Sequence, residues 1–232
     1  MEHWVIEAIL QHLQLGHLGY VIHDLLTRSH TQLKYNNQIS ESKIKIERGT
    51  KQGDVISPLL FLLFMAPLLW KIETTCKGVS INGIQMKAGA IMDDVVLTTD
   101  DTSDAIKMIN TVFEWSEITG ININPKKSAY VYKNISNTYL PMWKGKKFED
   151  LGDTKSYKYL GVWINLNLAW KDKQSKLLEA AYAIFGRITR KFYLTPYLMC
   201  KLINATKYAK IGYRMQVVIF HRDWINKVER AI

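Results

Sequence analysis

The sequence predicts an α+β protein in which short antiparallel strands and helices form a first region and helices alone form a second. Three observations support this class. Apolar residues recur at helical spacing from Trp4 to Leu15, and helical patterns dominate again from Trp170 onward. Between these segments, short apolar runs alternate with turn signals such as Asn82-Gly83, which are typical of two-residue β-hairpins.

The composition fits a folded protein with an anionic partner. The 232 residues are 47% hydrophobic, which excludes a disordered chain and allows one large domain or two small ones. The net charge of +10 favours nucleic acid or an anionic membrane surface as that partner. Cys76 and Cys200 cannot form a disulfide framework, so we expect a reducing, intracellular location, either cytoplasmic or nuclear.

The positive charge is concentrated in the second part of the chain. Residues 1–143 carry 13 Lys and Arg against 14 Asp and Glu, whereas residues 144–232 carry 18 against 7. A nearly neutral part that holds most of the acids therefore precedes a strongly basic part. This asymmetry indicates two functional regions.

The first elements are two helices and a pair of strands. The helix from Trp4 to Leu15 is followed by a shorter one from Leu18 to Thr27. Residues 32–35 and 43–46 are predicted as strands around the polar turn 36–38. The alternation in the second strand predicts a sheet with one solvent-exposed face.

A loop with two glycines, residues 48–54, leads into the most apolar helix. Ser57 is predicted as its N-cap and Pro58 as its first residue. The helix should run to about Trp70, with Pro67 kinking or ending it, and should be central because it is apolar on all sides. The uncharged run from 55 to 70 is shorter than the roughly 20 residues that span a bilayer, so we expect a buried helix and no membrane partner.

Two acids, Asp93 and Asp94, stand between two strand-like runs within residues 88–99. Neighbouring side chains of a regular strand point to opposite faces, but a two-residue turn at these positions would let both carboxylates project from one tip. Hard oxygen ligands favour Mg²⁺, and a pair of such ions suits phosphoryl or nucleotidyl transfer. The alternative is a solvated acidic turn.

The elements that follow are less informative about chemistry. Asp100 and Asp101 are predicted to cap a helix that begins at Thr102 and ends at Gly120. Residues 129–132 should form a strand, and residues 159–164 a strand or a tight hairpin. Thr195-Pro196 should open a further helix.

Four segments resemble motifs of one known family, in that family's order. Residues 48–61 resemble the second palm motif of reverse transcriptases, and residues 90–97 resemble the metal-binding aspartate hairpin of that family. Residues 120–128 are similar to the next motif and residues 157–162 to the primer grip. The chain most resembles reverse transcriptases of non-LTR (LINE-type) retrotransposons, with group II intron enzymes as relatives.

The resemblance implies a polymerase-type palm over residues 1–168, with packed helices and an antiparallel sheet, and a helical thumb-like region over residues 169–232. It implies that Asp93 and Asp94 bind Mg²⁺ or Mn²⁺ and that Lys127, or less clearly Lys126, lies near the incoming phosphates. A turn lysine exposed to solvent is the alternative for Lys127. The partners would be an RNA template, a DNA primer and deoxynucleoside triphosphates.

The resemblance also assigns residues that contact nucleotide, template and primer. The nucleotide and template would lie along the 48–58 segment, at Arg48, Gly49, Gln52, Gly53, Ser57 and Pro58. A plain strand-to-helix connection is the alternative for this loop. The primer end would lie against Tyr159, Leu160 and Gly161.

Two departures from the family pattern bear on activity. Ile91 stands where the family usually has an aromatic residue. The family's first catalytic aspartate is missing, since residues 2–6 look like the stretch just after it, and the fingers that would precede it are missing too. We therefore expect a truncated polymerase domain that is inactive alone.

The basic part should contact nucleic-acid backbone. Lys207, Lys210 and Arg214 are spaced to share one helix face, which in a thumb would follow a template–primer duplex. A solvated helix face is the alternative. Two other functions stay open, namely a non-catalytic nucleic-acid-binding remnant and an unrelated Mg²⁺-dependent phosphohydrolase, although the latter explains neither the Gln52 loop nor the Tyr159 strand.

Overall fold

The computed structural model describes residues 2–51, 53–133, 140–152, 155–165 and 194–208, together with single residues and pairs between and beyond these ranges. The chain forms two compact units. The first comprises residues 1–128 and 135–149, and the second comprises residues 129–134 and 150–232.

Helices account for most of the regular structure in the first unit. The α-helices with defined bounds in the first unit are α1 His3–His12, α2 His17–Thr27, α3 Ser57–Thr75 and α4 Thr102–Thr119, and α5 Pro196–Ile203 lies in the second unit. The predicted helices near the N terminus and after Thr102 are confirmed. Thr195 caps α5 as predicted, because its Oγ1 accepts a hydrogen bond from Leu198 N at 3.4 Å.

The strands are short and form two-stranded sheets. They are β1 His30–Thr31, β2 Lys34–Tyr35, β3 Gln38–Ile39, β4 Ile44–Lys45, β5 Val79–Ile81, β6 Ile84–Met86, β7 Ala88–Ile91, β8 Asp94–Leu97, β9 Ala129–Tyr130, β10 Met142–Trp143, β11 Lys146–Lys147, β12 Glu149–Asp150, β13 Tyr157–Tyr159 and β14 Val162–Ile164. The hairpins β2–β3, β5–β6, β7–β8, β10–β11 and β13–β14 each close with a two-residue turn. The structure is therefore a mixture of helices and small antiparallel sheets, as the α+β prediction requires.

The core of the first unit is built around α3. This helix buries Leu60, Phe64, Met65, Leu68 and Ile72. The buried side chains packed with them come from α1, α2 and α4, and include Ile6, Leu10, Ile22, Leu26 and Met108. Burial of these apolar groups is the main stabilising contribution to the unit.

The ends of α3 differ from the prediction in two ways. Ser57 is the first helical residue and Ile56 is the N-cap, while the Ser57 hydroxyl donates to Lys51 O at 2.7 Å. Pro67 lies inside the helix, which continues to Thr75. At this length α3 is apolar enough to cross a membrane by length and composition alone, yet five of its residues are buried in the core.

The first strand region also differs from the prediction. Asn36-Asn37 forms the turn, but Gln38–Ile39 supplies the strand that returns from it, and the predicted 43–46 strand pairs with His30–Thr31 instead. All four short strands are exposed on both faces, so the predicted buried face is absent from them. The strand predicted at 129–132 ends at Tyr130.

The left-handed residue at the end of α4 gives a first prediction. Gly120 has φ +68°, and a Cβ there would lie 3.2 Å from Glu2 Oε1. We expect Gly120→Ala to lower the free energy of unfolding by about 1 kcal/mol, because alanine is strained at this φ and crowds Glu2. Denaturant unfolding measures the change. Gly89→Ala is the control, since a Cβ at Gly89 meets no atom within 4 Å, and an equal loss in both variants would contradict the prediction.

Candidate active site

The two acids lie at the tip of the β7–β8 hairpin, with a register that differs from the prediction. Ile91 pairs with Asp94, so the turn residues are Met92 and Asp93, and Asp94 is the first residue of β8. Met92 has φ 52°. The two strands pair from Ala88 with Leu97 up to Ile91 with Asp94, which leaves Met92 and Asp93 in the turn. The turn therefore begins one residue earlier than predicted.

Both carboxylates are exposed to solvent at this tip. Asp93 belongs to the turn, so strand alternation does not force its side chain to the face opposite Asp94. The base of the hairpin is fixed, because Ala88, Val95 and Leu97 pack against the core around α3. Adjacent hard oxygen donors on a fixed hairpin suit Mg²⁺, which takes few ligands from protein and keeps several waters.

Asp104 ties the base of this hairpin to α4. Its carboxylate is buried and accepts hydrogen bonds from Lys77 N, Gly78 N and Thr99 Oγ1 at distances between 2.9 and 3.1 Å. Burial alone would raise the pKa of Asp104, but these bonds and the charge of Lys107 outweigh it and hold the pKa below its ordinary value. One side chain therefore joins the segment after β8, the segment before β5 and the first turn of α4.

Asp101 acts as the predicted cap of α4. Its side chain accepts hydrogen bonds from Ser103 N at 3.0 Å and from Ser103 Oγ at 2.7 Å. These bonds lower the pKa of Asp101. Asp101 therefore serves the helix, as the sequence indicated, rather than a metal site.

The 48–54 loop is held at its start by the N-terminal residues. Arg48 Nε lies 2.9 Å from Glu2 Oε1, and the backbones of these two residues also form a β-bridge. The ring of His3 donates through Nε2 to Gly49 O at 2.7 Å. Two consecutive residues of the N-terminal segment therefore fix Arg48 and Gly49.

The second half of the loop is closed by hydrogen bonds within itself and presents an open backbone at Gly53. Asp54 N donates to Lys51 O at 3.3 Å, and Ser57 N donates to Asp54 O at 3.2 Å. Gly53 has φ +87°, which only glycine adopts readily, and a Cβ there would meet no atom within 4 Å. Gln52 lies outside the described residues. Pro58 is exposed in the first turn of α3.

Lys126 and Lys127 lie on the short 3₁₀ turn Pro125–Lys127. Asn124 caps this turn, since its Oδ1 accepts a hydrogen bond from Lys126 N at 3.1 Å. Both lysine side chains are exposed. The two lysines therefore lie on an exposed turn. The placement of Lys127 near the phosphates of an incoming nucleotide stays a prediction.

The segment predicted as primer grip was expected to form a strand or a tight hairpin, and it forms a hairpin. Tyr159 pairs with Val162, and Leu160-Gly161 is the turn, with φ values of 48° and 80°. Tyr213 Oη donates to Leu160 O at 2.9 Å, so this tyrosine supports the turn.

The basic face predicted for the thumb falls on side chains beyond those that the structure describes. Lys210 and Arg214 lie outside the described residues, as does the side chain of Lys207. Among the described residues no group of three or more His, Cys, Asp or Glu side chains could hold a metal ion. The two carboxylates of the β7–β8 tip are the metal ligands that the sequence resemblance predicts.

Sequence reasoning missed the residues that hold the site in place. Asp104 follows a predicted cap by three positions and looked like an ordinary first-turn acid. Glu2 and His3 precede the predicted helix, and the resemblance marks residues 2–6 only as the stretch after the family's first catalytic aspartate, with no contact to the 48–54 loop predicted. The β10–β11 hairpin, with Lys144-Gly145 at its turn, was not predicted, although a glycine after one turn residue is a hairpin signal.

Comparison with known proteins agrees with the motifs. Residues 6–164 match the family described as reverse transcriptase (RNA-dependent DNA polymerase). A Pol polyprotein from the type-1 retrotransposable element R2 of Popillia japonica is 29% identical over 129 residues, covering 52% of this chain and 21% of that protein. A second one from the same organism is 31% identical over 162 residues, covering 63% and 22%. A Pol polyprotein from the type-2 element R2DM of Drosophila melanogaster is 28% identical over 123 residues, covering 50% and 12%.

The chain spans about a fifth or less of the length of these curated relatives. The family match covers more than half of the chain and includes the aspartate hairpin, the 48–54 loop and the β13–β14 hairpin. The chain belongs to the reverse transcriptase family, in the group found in non-LTR retrotransposons.

Proposed function

We propose that this chain contributes the palm and thumb of an RNA-directed DNA polymerase, with the palm over residues 1–168 and the thumb over residues 169–232. The reaction is nucleotidyl transfer by a two-metal mechanism on an RNA template and a DNA primer, with deoxynucleoside triphosphates as substrates. The β7–β8 hairpin carries this proposal, because it displays Asp93 and Asp94 at an exposed tip within the segment that matches the family.

Asp93 and Asp94 would hold Mg²⁺ or Mn²⁺. When bound, such an ion supplies charge stabilisation for the phosphoryl group under transfer. The hairpin itself would hold the two carboxylates in place, because it packs on the core around α3 and the segment after it is hydrogen-bonded through Thr99 to Asp104. A tip that is fixed before substrate arrives loses less free energy to reorganisation.

The remaining predicted residues would bind and orient the substrates. Gly53, with an open backbone, and Gln52 would border the template base and the incoming nucleotide. Lys127 would lie near the phosphates and could donate a proton to the leaving group. Leu160 and its turn would place the primer end, while the basic residues of the second unit would follow the duplex backbone.

We further propose that the 232 residues alone give no measurable primer extension. The support is the ligand set, because the described residues bring no third carboxylate, histidine or cysteine into a group with Asp93 and Asp94. Two-metal sites need ligands for both ions. Primer extension with Mg²⁺ or Mn²⁺ above that of an Asp93→Ala, Asp94→Ala variant would contradict this part of the proposal.

Metal binding tests the site without requiring catalysis. We expect Mn²⁺, followed by electron paramagnetic resonance, to bind the 232-residue chain and to lose this binding in the Asp93→Asn, Asp94→Asn variant. The matched control is Glu41→Gln, Glu47→Gln, which removes two exposed carboxylates from the same unit and should leave binding unchanged. Equal binding by all three proteins would overturn the metal assignment.

A non-catalytic nucleic-acid-binding protein is the second candidate. The observation that favours it is charge, since the second unit carries 16 Lys and Arg against 6 Asp and Glu. A chain that binds an RNA–DNA hybrid but shows no Mn²⁺ binding at Asp93 and Asp94 would support this candidate over the polymerase.

A further inference from the structure

We propose that the β10–β11 hairpin is an additional nucleic-acid contact, in which Lys144, Lys146 and Lys147 bind the sugar–phosphate backbone. The inference rests on the proposed function, because its partner is the template–primer duplex. It adds a contact in the first unit, whereas the basic face predicted from sequence belongs to the second.

Aromatic side chains anchor this hairpin to α4. Trp143 is only 4% exposed, and its ring centroid lies 4.8 Å from that of Phe113. Phe148, just after β11, meets the same Phe113 ring edge-on at 6.0 Å. Phe148 N also donates to Pro141 O at 3.1 Å and so closes the base of the hairpin. The tip is therefore carried on a fixed support rather than on a free loop.

The first turn residue of this hairpin, Lys144, adopts a left-handed backbone that lysine does not favour. Lys144 has φ 49° and Gly145 has φ 77°, the left-handed pair that two-residue hairpins require. The hairpin at Asn82-Gly83 has the same backbone with φ 51° and 81°, and there asparagine tolerates the first position. Met92 and Leu160 occupy the same first position in two other hairpins, with φ 52° and 48°, so the strain does not by itself explain a lysine there.

The charges of this tip are uncompensated within the described part of the chain. Lys144, Lys146 and Lys147 are exposed, and none of them forms an ion pair with a described carboxylate. Lys144 Nζ lies 5.2 Å from the centre of the Trp143 ring, a cation–π distance that orients its ammonium group. The nearest acids along the chain, Glu149 and Asp150, follow the base of the hairpin rather than its tip.

The segment that follows the hairpin is hydrogen-bonded to the segment that carries Lys126 and Lys127. Glu149 N donates to Ser128 O at 3.2 Å, and Ser128 directly follows Lys126 and Lys127. Five lysines therefore occur on two segments that are adjacent in space. A polyanion lying along these segments would meet several of them, which suits a nucleic-acid backbone.

An anionic membrane is the less suitable partner. A helix or hairpin that binds a membrane surface inserts apolar side chains next to its basic ones. The aromatic residues of this hairpin, Trp143 and Phe148, instead pack on Phe113 of α4. The surface left at the tip is basic and hydrogen-bonding, as a phosphate backbone requires.

The test is the salt dependence of binding to a short RNA–DNA hybrid. We expect Lys144→Gln, Lys146→Gln, Lys147→Gln in the 232-residue chain to weaken binding about tenfold at moderate salt. The slope of log affinity against log salt should become shallower by about 2, since each phosphate contact contributes roughly 0.7 to 0.9. The matched control is Lys34→Gln, Lys43→Gln, Lys45→Gln, which removes three exposed lysines from the same unit.

A second measurement uses the unmodified chain and so does not depend on variant folding. The hybrid should protect Lys144, Lys146 and Lys147 from acetylation while leaving Lys34, Lys43 and Lys45 reactive. Equal weakening by both triple variants, absence of protection at the hairpin, or an effect confined to anionic vesicles would overturn the inference. Failure of the chain to bind the hybrid at all would instead count against the proposed function.

Discussion

Asp93→Asn, Asp94→Asn is expected to lower primer extension at least about 10³-fold in a polymerase that carries residues 6–164 of this chain, a loss of about 4 kcal/mol of transition-state stabilisation. The physical reason is that asparagine keeps the shape of the β7–β8 tip but removes both negative charges that would attract the metal. The measurement uses a Popillia japonica R2 Pol polyprotein in which these residues replace the matching segment.

The control variant also removes two negative charges but leaves the β7–β8 hairpin unchanged. Glu41→Gln, Glu47→Gln in the same chimera should leave primer extension within about threefold of the parent. Binding of an RNA–DNA hybrid, which does not require the two acids, shows whether each protein is folded. A double Asn variant that binds the hybrid and still extends the primer at the parent's rate would exclude Asp93 and Asp94 as metal ligands.

Asp104→Ala is expected to lower the free energy of unfolding by about 3 kcal/mol. The variant removes an acceptor of hydrogen bonds from Lys77 N, Gly78 N and Thr99 Oγ1, and Gly78 N is buried. Denaturant unfolding measures the global loss, and amide hydrogen exchange should show lost protection at residues 77 and 78. Asp101→Ala, which removes only the cap of α4, should lose about 1 kcal/mol.

The stabilisation by Asp104 should depend on pH in a defined direction. Its pKa in the folded protein lies below the ordinary value of 3.8, so the unfolded chain takes up a proton first as pH falls. The contribution is complete above that value and is lost as pH falls through the folded pKa. The difference in stability between the parent and Asp104→Ala should therefore shrink in acid, and a difference that grows below pH 3.8 would contradict the assignment.

The helix ends and hairpin turns that single residues determine could be predicted from the sequence. Asp101 before a helical pattern, Gly120 after it and Asn82-Gly83 between two strands each determine a backbone conformation through their own side chain or lack of one. The aspartate hairpin was predicted from two strand-like runs around two acids and from the resemblance of residues 90–97 to the family's motif. Its register was not, because Met92 adopts a left-handed φ that its residue type does not favour.

Contacts between distant segments could not be predicted from spacing. Asp104 accepts hydrogen bonds from residues 26 and 27 positions earlier, and His3 donates to a carbonyl 46 positions later. Ser57 fits the local pattern of an N-cap, yet its hydroxyl bonds Lys51 O because the loop folds back over the helix start. Tertiary structure overrides the local preference in these cases.

The two-residue turns have a consequence for the order in which the first unit folds. Its hairpins at Asn36-Asn37, Asn82-Gly83, Met92-Asp93 and Lys144-Gly145 join strands that are neighbours in sequence, and such hairpins form within about 1 to 10 microseconds. The packing of α1 on α3, with the bonds from Glu2 and His3 to Arg48 and Gly49, instead closes a long loop. The β7–β8 hairpin would therefore form locally, before the slower docking of α1 on α3 completes the core against which Ala88, Val95 and Leu97 pack.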